Sequence, residues 1–348
     1  MAVASLAPSS EVVACLPPPV SVIGAGSWGS AIAWLLGQKG VPVSLWARDT
    51  SLVNHFNSTS RNPRYLKEIV FPDVVTATTD LMQAVSNAKA LILVTPSVAV
   101  AGIAQQLKPL IAYDTPLIIL SKGLDPDSGQ LLDRVLTETI GNSQRIAVLS
   151  GPNHAEEICL GIPAGTVVAS ASEPCAAFFQ KLLATPAFRV YVSNDVVGVQ
   201  LCGAAKNVIA IACGVSAGLG LGDNTQAMLM TRGLAEIARL VEAAGGSPIT
   251  GMGLAGMGDL IATCTSPHSR NRGFGLELAN GGNLESYQAH THMVVEGAIA
   301  ARTITALAKK HSVEMPICEQ VRSVVWEDQP VEQAFQSLIS REFKPEFY

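Results

Sequence analysis

The stretch VSVIGAGSWGSAIAWLLGQKGVPVSLWARD, residues 20–49, decides the fold. It opens on a short apolar run, residues 20–23, and closes on a second strand-like run, residues 41–46. Between the two runs, the apolar residues from Trp28 to Lys39 follow a helical spacing. A strand, a helix and a second strand in this order form a βαβ unit, which implies a parallel sheet.

Three glycines join the first strand to the helix in the pattern G-x-G-x-x-G: Gly24, Gly26 and Gly29. Gly24 permits the tight turn, Gly26 lets a pyrophosphate approach the backbone, and Gly29 lets the helix pack closely on the strand. The helix that contains Ser27 and Trp28 then turns its N-terminus toward the anion. A plain glycine turn would not require this strand-to-helix context, so the motif predicts a dinucleotide site.

The residues at the end of the second strand bear on the choice of cofactor. A protein specific for NAD places an acidic side chain there to bind the ribose hydroxyls, whereas an arginine accommodates the 2′-phosphate of NADP. Arg48 and Asp49 occupy this position together. We expect NADPH or NADH as cofactor, with NADPH favoured, and we leave open that both arginine and aspartate are solvated loop charges.

The alternation of strands and helices continues outward and then stops. Further strand-like runs lie at residues 90–95, 116–121, 145–150, 165–170 and 188–193. Helical patterns follow at residues 195–214, 224–244, 270–280, 294–310 and 316–326. The predicted fold is an α/β Rossmann-type doubly wound N-terminal domain, residues 20–193, plus an all-α C-terminal domain, residues 194–348, that binds substrate and carries catalysis. Residues 1–19 are expected to form a flexible tail.

Composition excludes several kinds of partner. The 348 residues carry 23 basic and 28 acidic side chains, a net charge of −5, and no predicted helix has a basic stripe, so nucleic acid is excluded. The seven cysteines are scattered and form no C-x-x-C pair, which indicates reduced thiols and a cytoplasmic location. The long uncharged stretch 12–38 contains three prolines and four glycines, so no membrane span is expected.

Short motifs further along the chain point to a family. They are Ser121-Lys122-Gly123, Ser150-Gly151-Pro152, GAAKNVIA at 203–210, GLGLGDN at 218–224, GLAGMGDL at 253–260, Thr263-Cys264 and Ser269-Arg270-Asn271. Together with the glycine motif, and in this order, they resemble the bacterial-type NAD(P)-dependent glycerol-3-phosphate dehydrogenase family over residues 20–325. The resemblance implies a homodimer that reduces dihydroxyacetone phosphate to sn-glycerol 3-phosphate for phospholipid synthesis.

The resemblance also implies roles for particular residues. The proton-transfer lysine of the family corresponds to Lys206. The cofactor contacts correspond to Ser27, Trp28, Arg48, Lys122, Ala155, Arg270, Val294 and Glu296. The substrate contacts correspond to Lys122, Gly151, Asn153, Lys206, Asp259, Ser269, Arg270 and Asn271. Many members have Ser and Phe where this chain has Asn153 and His154, which puts the side-chain role of residue 153 in doubt.

The chemistry of such a reaction explains these residue types. One side chain must donate a proton to the ketone oxygen or accept it from the alcohol, and a lysine does so near neutrality when burial or a neighbouring cation lowers its pKa. Lys206 lies in an apolar run and Lys122 is the candidate neighbour. Arg270, between Ser269 and Asn271, suits a phosphate. Asp259 could bind a substrate hydroxyl, hold Lys206 or simply cap a helix.

Two motifs suggest other functions. Residues 214–218 match the G-x-S-x-G elbow of hydrolases, but a helical pattern precedes them and glycines follow, so the elbow lacks its strand and helix. His290 and His292 could suggest a metal, but residues two apart do not face one way on a helix and no other ligand lies at suitable spacing. No metal site is therefore predicted.

Two rival functions remain for the dinucleotide domain. Hydroxyacid dehydrogenases that act on carboxylates place a lysine and an asparagine one helical turn apart, whereas Lys206 and Asn207 are adjacent. A non-enzymatic NADPH sensor would keep the glycine motif but would have no need for Lys122, Lys206 and Arg270 together. The joint presence of these three cations favours an enzyme.

Overall fold

The computed structural model describes residues 18–291, 294–342 and 345–346. Residues 1–17, which make up nearly all of the predicted tail, lie outside the described residues, as does His292 of the histidine pair. The six cysteines within the described ranges are all buried and free.

The described residues contain a single mixed sheet of eight strands in the order β3-β2-β1-β4-β5-β6-β7-β8. The strands are β1 (Val20–Ile23), β2 (Val43–Trp46), β3 (Val75–Thr78), β4 (Ala90–Leu93), β5 (Leu117–Ile119), β6 (Ile146–Ser150), β7 (Ala164–Ala169) and β8 (Phe188–Ser193). Strand order reverses between β1 and β4, which is where open α/β sheets bind ligands. β1 to β6 are parallel, so their carboxyl ends share one edge.

Helices cover both faces of this sheet. They are α1 (Ser27–Gln38), α2 (Thr50–Thr59), α3 (Leu81–Val85), α4 (Val100–Leu107), α5 (Leu132–Ile140), α6 (Ala155–Cys159) and α7 (Glu173–Leu183). Alternate residues of β4 enter different cores, because Ile92 packs with helix α1 and Leu91 with helix α4. Burial on both faces explains why the central strands are apolar throughout.

The remaining elements are helical. They are α8 (Val196–Gly218), α9 (Asp223–Ala243), α10 (Asp259–Thr265), α11 (Arg270–Ala279), α12 (Leu284–Thr291), α13 (Glu296–Lys310), α14 (Pro316–Trp326) and α15 (Val331–Ile339). Helix α8 packs against α9, α10, α11, α13 and α14. It is long and apolar enough to cross a membrane, but 83% of its most apolar window is buried inside the protein, so we interpret it as the central core helix.

Glycines set how closely α8 and α11 approach. A Cβ at Gly214 would lie 2.1 Å from the backbone oxygen of Arg272, and one at Gly275 would lie 2.1 Å from that of Ile211. The two backbones therefore touch directly. This contact fixes the helix that begins at Arg270 against the helix that carries Lys206.

The structure departs from the sequence prediction in several elements. The expectation of a wholly parallel sheet is wrong at one place, since β6 and β7 are antiparallel. Strand β3, at the sheet edge, and helices α10, α12 and α15 were not predicted. The helix predicted for 195–214 continues to Gly218. Glycines disfavour a helix there, but packing against α11 stabilises the last turn.

Candidate active site

The glycine turn has the geometry that a bound pyrophosphate needs. Gly24 has a φ of +123°, and a Cβ there would lie 2.7 Å from the backbone oxygen of Val94. A Cβ at Gly29 would lie 1.9 Å from the oxygen of Gly24, so this position keeps helix and turn together. At Gly26, by contrast, a Cβ would meet no protein atom within 4 Å. The open side of the turn is thus at Gly26, and these residues fit a dinucleotide.

Ser27, Trp28 and Ala155 lie where α1 meets α6. The Ser27 hydroxyl donates to Oε1 of Glu156 at 3.2 Å. The Trp28 ring packs edge-on against Phe188, with 6.3 Å between centroids. Ala155, at the start of α6, is buried against α1. The half-buried side chain of Trp28 thus packs against the core, and the first turn of α1 begins directly after Gly26 of the glycine turn.

Arg48 and Asp49 have different surroundings at the end of β2. Arg48 is exposed. Asp49 caps helix α2, since its Oδ1 accepts from the Ser51 hydroxyl at 2.6 Å and from the Ser51 and Leu52 amides, and its Oδ2 pairs with Arg64. These hydrogen bonds, that of the Ser51 hydroxyl first, lower the pKa of Asp49 to about 2. Both carboxylate oxygens of Asp49 are already engaged, whereas Arg48 has no ion-pair partner among the described residues.

The carboxyl edge of the sheet collects the next group of residues. Ser97 follows β4, Lys122 follows β5 and Gly151 follows β6. The Nζ of Lys122 donates to the backbone oxygen of Gly151 at 3.0 Å. Because these strands are neighbours in the sheet, the site runs along this edge away from the glycine turn.

Asp259 lies between two lysines. Its Oδ1 is 2.8 Å from Nζ of Lys206, and its Oδ2 is 2.6 Å from Nζ of Lys122. Lys206 also donates to the hydroxyl of Thr263 at 2.5 Å, and the hydroxyl of Ser150 donates to Asp259. The aspartate thus holds both lysines in one cluster. Holding Lys206 is one of the three roles predicted for it from the sequence.

Burial sets the protonation of this cluster. It lowers the pKa of Lys206 to about 8, a shift that Lys122 adds to and Asp259 opposes. Burial by itself would raise the pKa of Asp259, but the two lysines outweigh it and hold that pKa below its usual value. Lys206 can therefore exist as ammonium or amine close to neutral pH, which general acid–base catalysis requires.

Glu296 connects the helical part of the chain to the sheet edge. Its Oε1 accepts from the Ser97 amide at 2.9 Å and its Oε2 from the Ser97 hydroxyl at 2.6 Å. Burial raises the pKa of Glu296, and the positive charge of Arg270 opposes this shift. Val294, half-buried, lies two residues before it. The contacts of Glu296 with Ser97 bring this predicted cofactor residue to the carboxyl end of β4.

The three residues predicted to bind phosphate differ in exposure. Ser269 caps α11, with its hydroxyl accepting from the Arg272 amide at 3.2 Å. Asn271 is buried, and its carboxamide donates to Oδ1 of Asn207 at 2.8 Å and accepts from the Gly297 amide at 2.9 Å. Arg270 is exposed and makes no ion pair with any described residue. The guanidinium of Arg270 is therefore an exposed positive charge at this helix N-terminus, without an ion pair among the described residues.

The side chain of Asn153 forms hydrogen bonds with residues outside the lysine cluster. Its carboxamide donates to the backbone oxygens of Pro152 and Gly165 and accepts from the Thr166 hydroxyl at 2.9 Å. His154, the other departure from the family pattern, has its Nε2 3.2 Å from the backbone oxygen of Ala262. Both side chains thus join the loop after β6 to its neighbours.

Sequence reasoning did not assign three residues of the site: Ser97, Ser150 and Thr263. Thr263 was quoted only as part of a motif, yet it lies one helical turn after Asp259, a spacing that brings two side chains to one face. Ser150 ends a buried strand directly before Gly151. Ser97 gave no comparable signal, because its partner Glu296 lies 199 residues away in the chain.

The structure shows the surroundings of the residues that suggested other functions. Residues 214–218 lie inside helix α8, and Ser216 is buried, so the strand-to-helix elbow of a hydrolase is absent from this segment. His290 has its Nδ1 2.8 Å from the backbone oxygen of Ser286, and no three His, Cys, Asp or Glu side chains within the described ranges are placed to hold a metal. Lys206 and Asn207 contact different partners, Asp259 and Asn271.

A glycine turn at the switch point of a doubly wound sheet, with a buried lysine of lowered pKa on an adjoining helical bundle, is typical of an NAD(P)-dependent oxidoreductase. Models of the NAD-dependent glycerol-3-phosphate dehydrogenase N-terminus and C-terminus match residues 19–176 and 195–336. The chain belongs to this family.

Individual relatives agree with this assignment. A glycerol-3-phosphate dehydrogenase [NAD(P)+] of Nitrosococcus oceani is 45% identical, covering 94% of this chain and 95% of the relative. One of Moorella thermoacetica is 44% identical, covering 92% and 96%. A crystal structure of glycerol-3-phosphate dehydrogenase from Coxiella burnetii has a TM-score of 0.90 at 38% identity and covers 94% of this chain and all of that chain.

Proposed function

We propose that this protein catalyses the reversible reduction of dihydroxyacetone phosphate to sn-glycerol 3-phosphate with NADPH or NADH. The observation that carries the proposal is the buried cluster of Lys206, Asp259 and Lys122 at the carboxyl edge of the sheet. The names of the relatives supply glycerol 3-phosphate, and dihydroxyacetone phosphate is the ketone that oxidation of its secondary alcohol would give. The product is the backbone of glycerophospholipids, so we place the reaction at the supply of that precursor.

Lys206 is the proposed proton donor and acceptor. In the reduction its ammonium gives a proton to the ketone oxygen and is left as a neutral amine, which regains a proton from solvent; oxidation reverses this transfer. A reduced nicotinamide, when bound, supplies the hydride to the carbonyl carbon. With a pKa of about 8, Lys206 can serve in both directions near neutral pH.

Lys122 and Asp259 support this proton transfer. Lys122 lies beside the same carboxylate and polarises the substrate oxygen, while Asp259 fixes the position of both ammonium groups. Ser150 and Thr263 in turn orient Asp259 and Lys206. In this proposal, residues of both parts of the chain, 20–193 and 194–348, act together on one substrate.

The substrate phosphate is assigned to the N-terminus of α11. Arg270 offers two parallel donors to a phosphate, and the helix end is favourable for an anion. Ser269 and Asn271 complete the assignment, and Gly151 and Asn153 are assigned to the substrate side near Lys122. The carboxamides of Asn153 and Asn271 already have protein partners, so we expect their contribution to come through the local backbone.

Cofactor binding is assigned to the switch point of the sheet. The proposed contacts are Gly24, Gly26, Ser27, Trp28, Gly29, Arg48, Lys122, Ala155, Arg270, Val294 and Glu296. Exposed Arg48 beside the fully engaged Asp49 supports a preference for NADPH. We further propose a homodimer working in the cytoplasm, which suits the free, buried cysteines of the described residues.

The test is the loss of reduced-nicotinamide absorbance when purified protein is mixed with dihydroxyacetone phosphate and either NADPH or NADH. Dihydroxyacetone without phosphate is the matched control. Rapid oxidation with the phosphorylated ketone and little with the control is expected. A folded protein that oxidises neither cofactor with this substrate would contradict the proposed reaction.

A further inference from the structure

A second arginine stands beside the exposed Arg48. Arg64 is itself exposed, and its guanidinium pairs with Oδ2 of Asp49, the residue that directly follows Arg48. Arg48 and the ion pair of Asp49 with Arg64 therefore lie together just beyond the carboxyl end of β2. The dinucleotide fold brings the adenosine ribose to this place.

The loop that carries Arg64 is anchored to the glycine turn. Asn62 is completely buried, and its amide donates to the backbone oxygen of Ala25 at 3.1 Å and to the hydroxyl of Ser30 at 2.9 Å. Its Oδ1 accepts from the backbone amide of Arg64 at 3.0 Å. The backbone of Arg64 is thus held through one side chain to the turn that the pyrophosphate would occupy.

Charge indicates which ligand this arrangement suits. A 2′-phosphate carries between one and two negative charges, and two guanidinium groups less one carboxylate leave a net positive charge to meet it. Ribose hydroxyls are neutral and gain little from a second cation. Asp49 offers them no free oxygen, because Oδ1 caps α2 and Oδ2 holds Arg64.

The geometry points to Arg64 as a specificity-determining residue for the cofactor: with Arg48 it forms a two-cation site for the 2′-phosphate of NADPH. Asp49 orients the guanidinium of Arg64 in the free protein and shares it with the phosphate in the complex. This inference rests on the proposed function and extends its cofactor site by one residue.

The test compares Arg64→Gln with Arg61→Gln, which removes the same charge from the same loop. Arg61 donates to the backbone oxygen of Lys67 and has no carboxylate partner within the described ranges, so it is a matched control. Dissociation constants for NADPH and NADH are measured by titration calorimetry, with adenosine 2′,5′-bisphosphate and AMP as fragments. Arg64→Gln should weaken NADPH and the bisphosphate at least about tenfold and change NADH and AMP less than about twofold. Arg61→Gln should leave all four within about twofold.

A further variant tests the part of Asp49. Asp49→Asn keeps a good helix cap but removes the charge that competes for Arg64, so NADPH affinity should rise while NADH affinity stays unchanged. Equal losses in Arg64→Gln and Arg61→Gln, or an unchanged ratio of NADPH to NADH affinity in Arg64→Gln, would overturn the inference. Failure of the unmodified protein to bind either cofactor would instead contradict the proposed function.

Discussion

Nζ of Lys206 lies 2.8 Å from Oδ1 of Asp259, and both side chains are buried. Removing two charges from water costs more free energy than one ion pair usually returns, so such a pair is weak support for stability. Here the same carboxylate also contacts Lys122 at 2.6 Å. The arrangement fits the proposed function, because it keeps a lysine buried and yet able to exchange a proton.

Replacing Lys206 tests this explanation directly. Lys206→Ala should lower the rate of ketone reduction by about a hundredfold or more, since the proton donor is lost. NADPH affinity should stay within about threefold, because the lysine acts on the substrate. Lys206→Met, which fills the buried space, separates loss of chemistry from loss of packing. Turnover retained in both folded variants would rule out Lys206 as the proton donor.

The pH dependence of the reduction provides a second prediction. The reaction needs the Lys206 ammonium, so the rate should fall as pH rises through the pKa of about 8. Asp259 favours the charged form of Lys206 and Lys122 disfavours it. Asp259→Asn should therefore move the fall in rate to lower pH, and Lys122→Met should move it to higher pH. The measurement is kcat/KM for the ketone between pH 6 and pH 10, and shifts of the same sign in both variants would contradict the assigned roles.

Arg270 is expected to dominate binding of the substrate phosphate. Arg270→Ala should weaken binding of dihydroxyacetone phosphate by about 2 to 4 kcal/mol, because the phosphate loses a charged, two-donor partner. The KM for this substrate measures the effect, with Arg272→Ala, two residues further along α11, as a control of equal charge. An unchanged KM in Arg270→Ala, or an equal rise in Arg272→Ala, would count against the assignment.

The sequence predicted the parts of this protein that depend on local pattern. The first βαβ unit follows from residues 20–49, and the helical segment follows from the loss of β-branched runs after Asn194. Strand direction is not a local property, so the antiparallel β7 could not be distinguished from a parallel strand. Strand β3 was missed because its residues 75–78 are half polar and lie at the sheet edge.

The candidate site likewise contains residues that the sequence predicts and contacts that it does not predict. Lys206 and Lys122 were paired in the prediction from a motif and a chemical need, and the structure brings them together on Asp259. The contact of Ser97 with Glu296 joins residues far apart in sequence, so only the folded chain reveals it. Likewise, Asn271 was expected to contact substrate. Its hydrogen bond with Asn207 could not be predicted from the local sequence pattern.

Two glycines of the glycine turn are expected to affect different properties: Gly26 the affinity for cofactor, and Gly29 the stability of the fold. At Gly26 an added Cβ would meet no protein atom within 4 Å, and the backbone there has an ordinary φ of −71°, so Gly26→Ala should change stability by no more than about 1 kcal/mol. Because that space is assigned to the pyrophosphate, the same variant should weaken NADPH and NADH at least about tenfold. At Gly29 a Cβ would lie 1.9 Å from the oxygen of Gly24, so Gly29→Ala should destabilise the fold itself by about 1 to 3 kcal/mol. Urea unfolding and cofactor titration on both variants measure the two effects separately. Full cofactor affinity in Gly26→Ala would mean that the pyrophosphate does not pass over this residue.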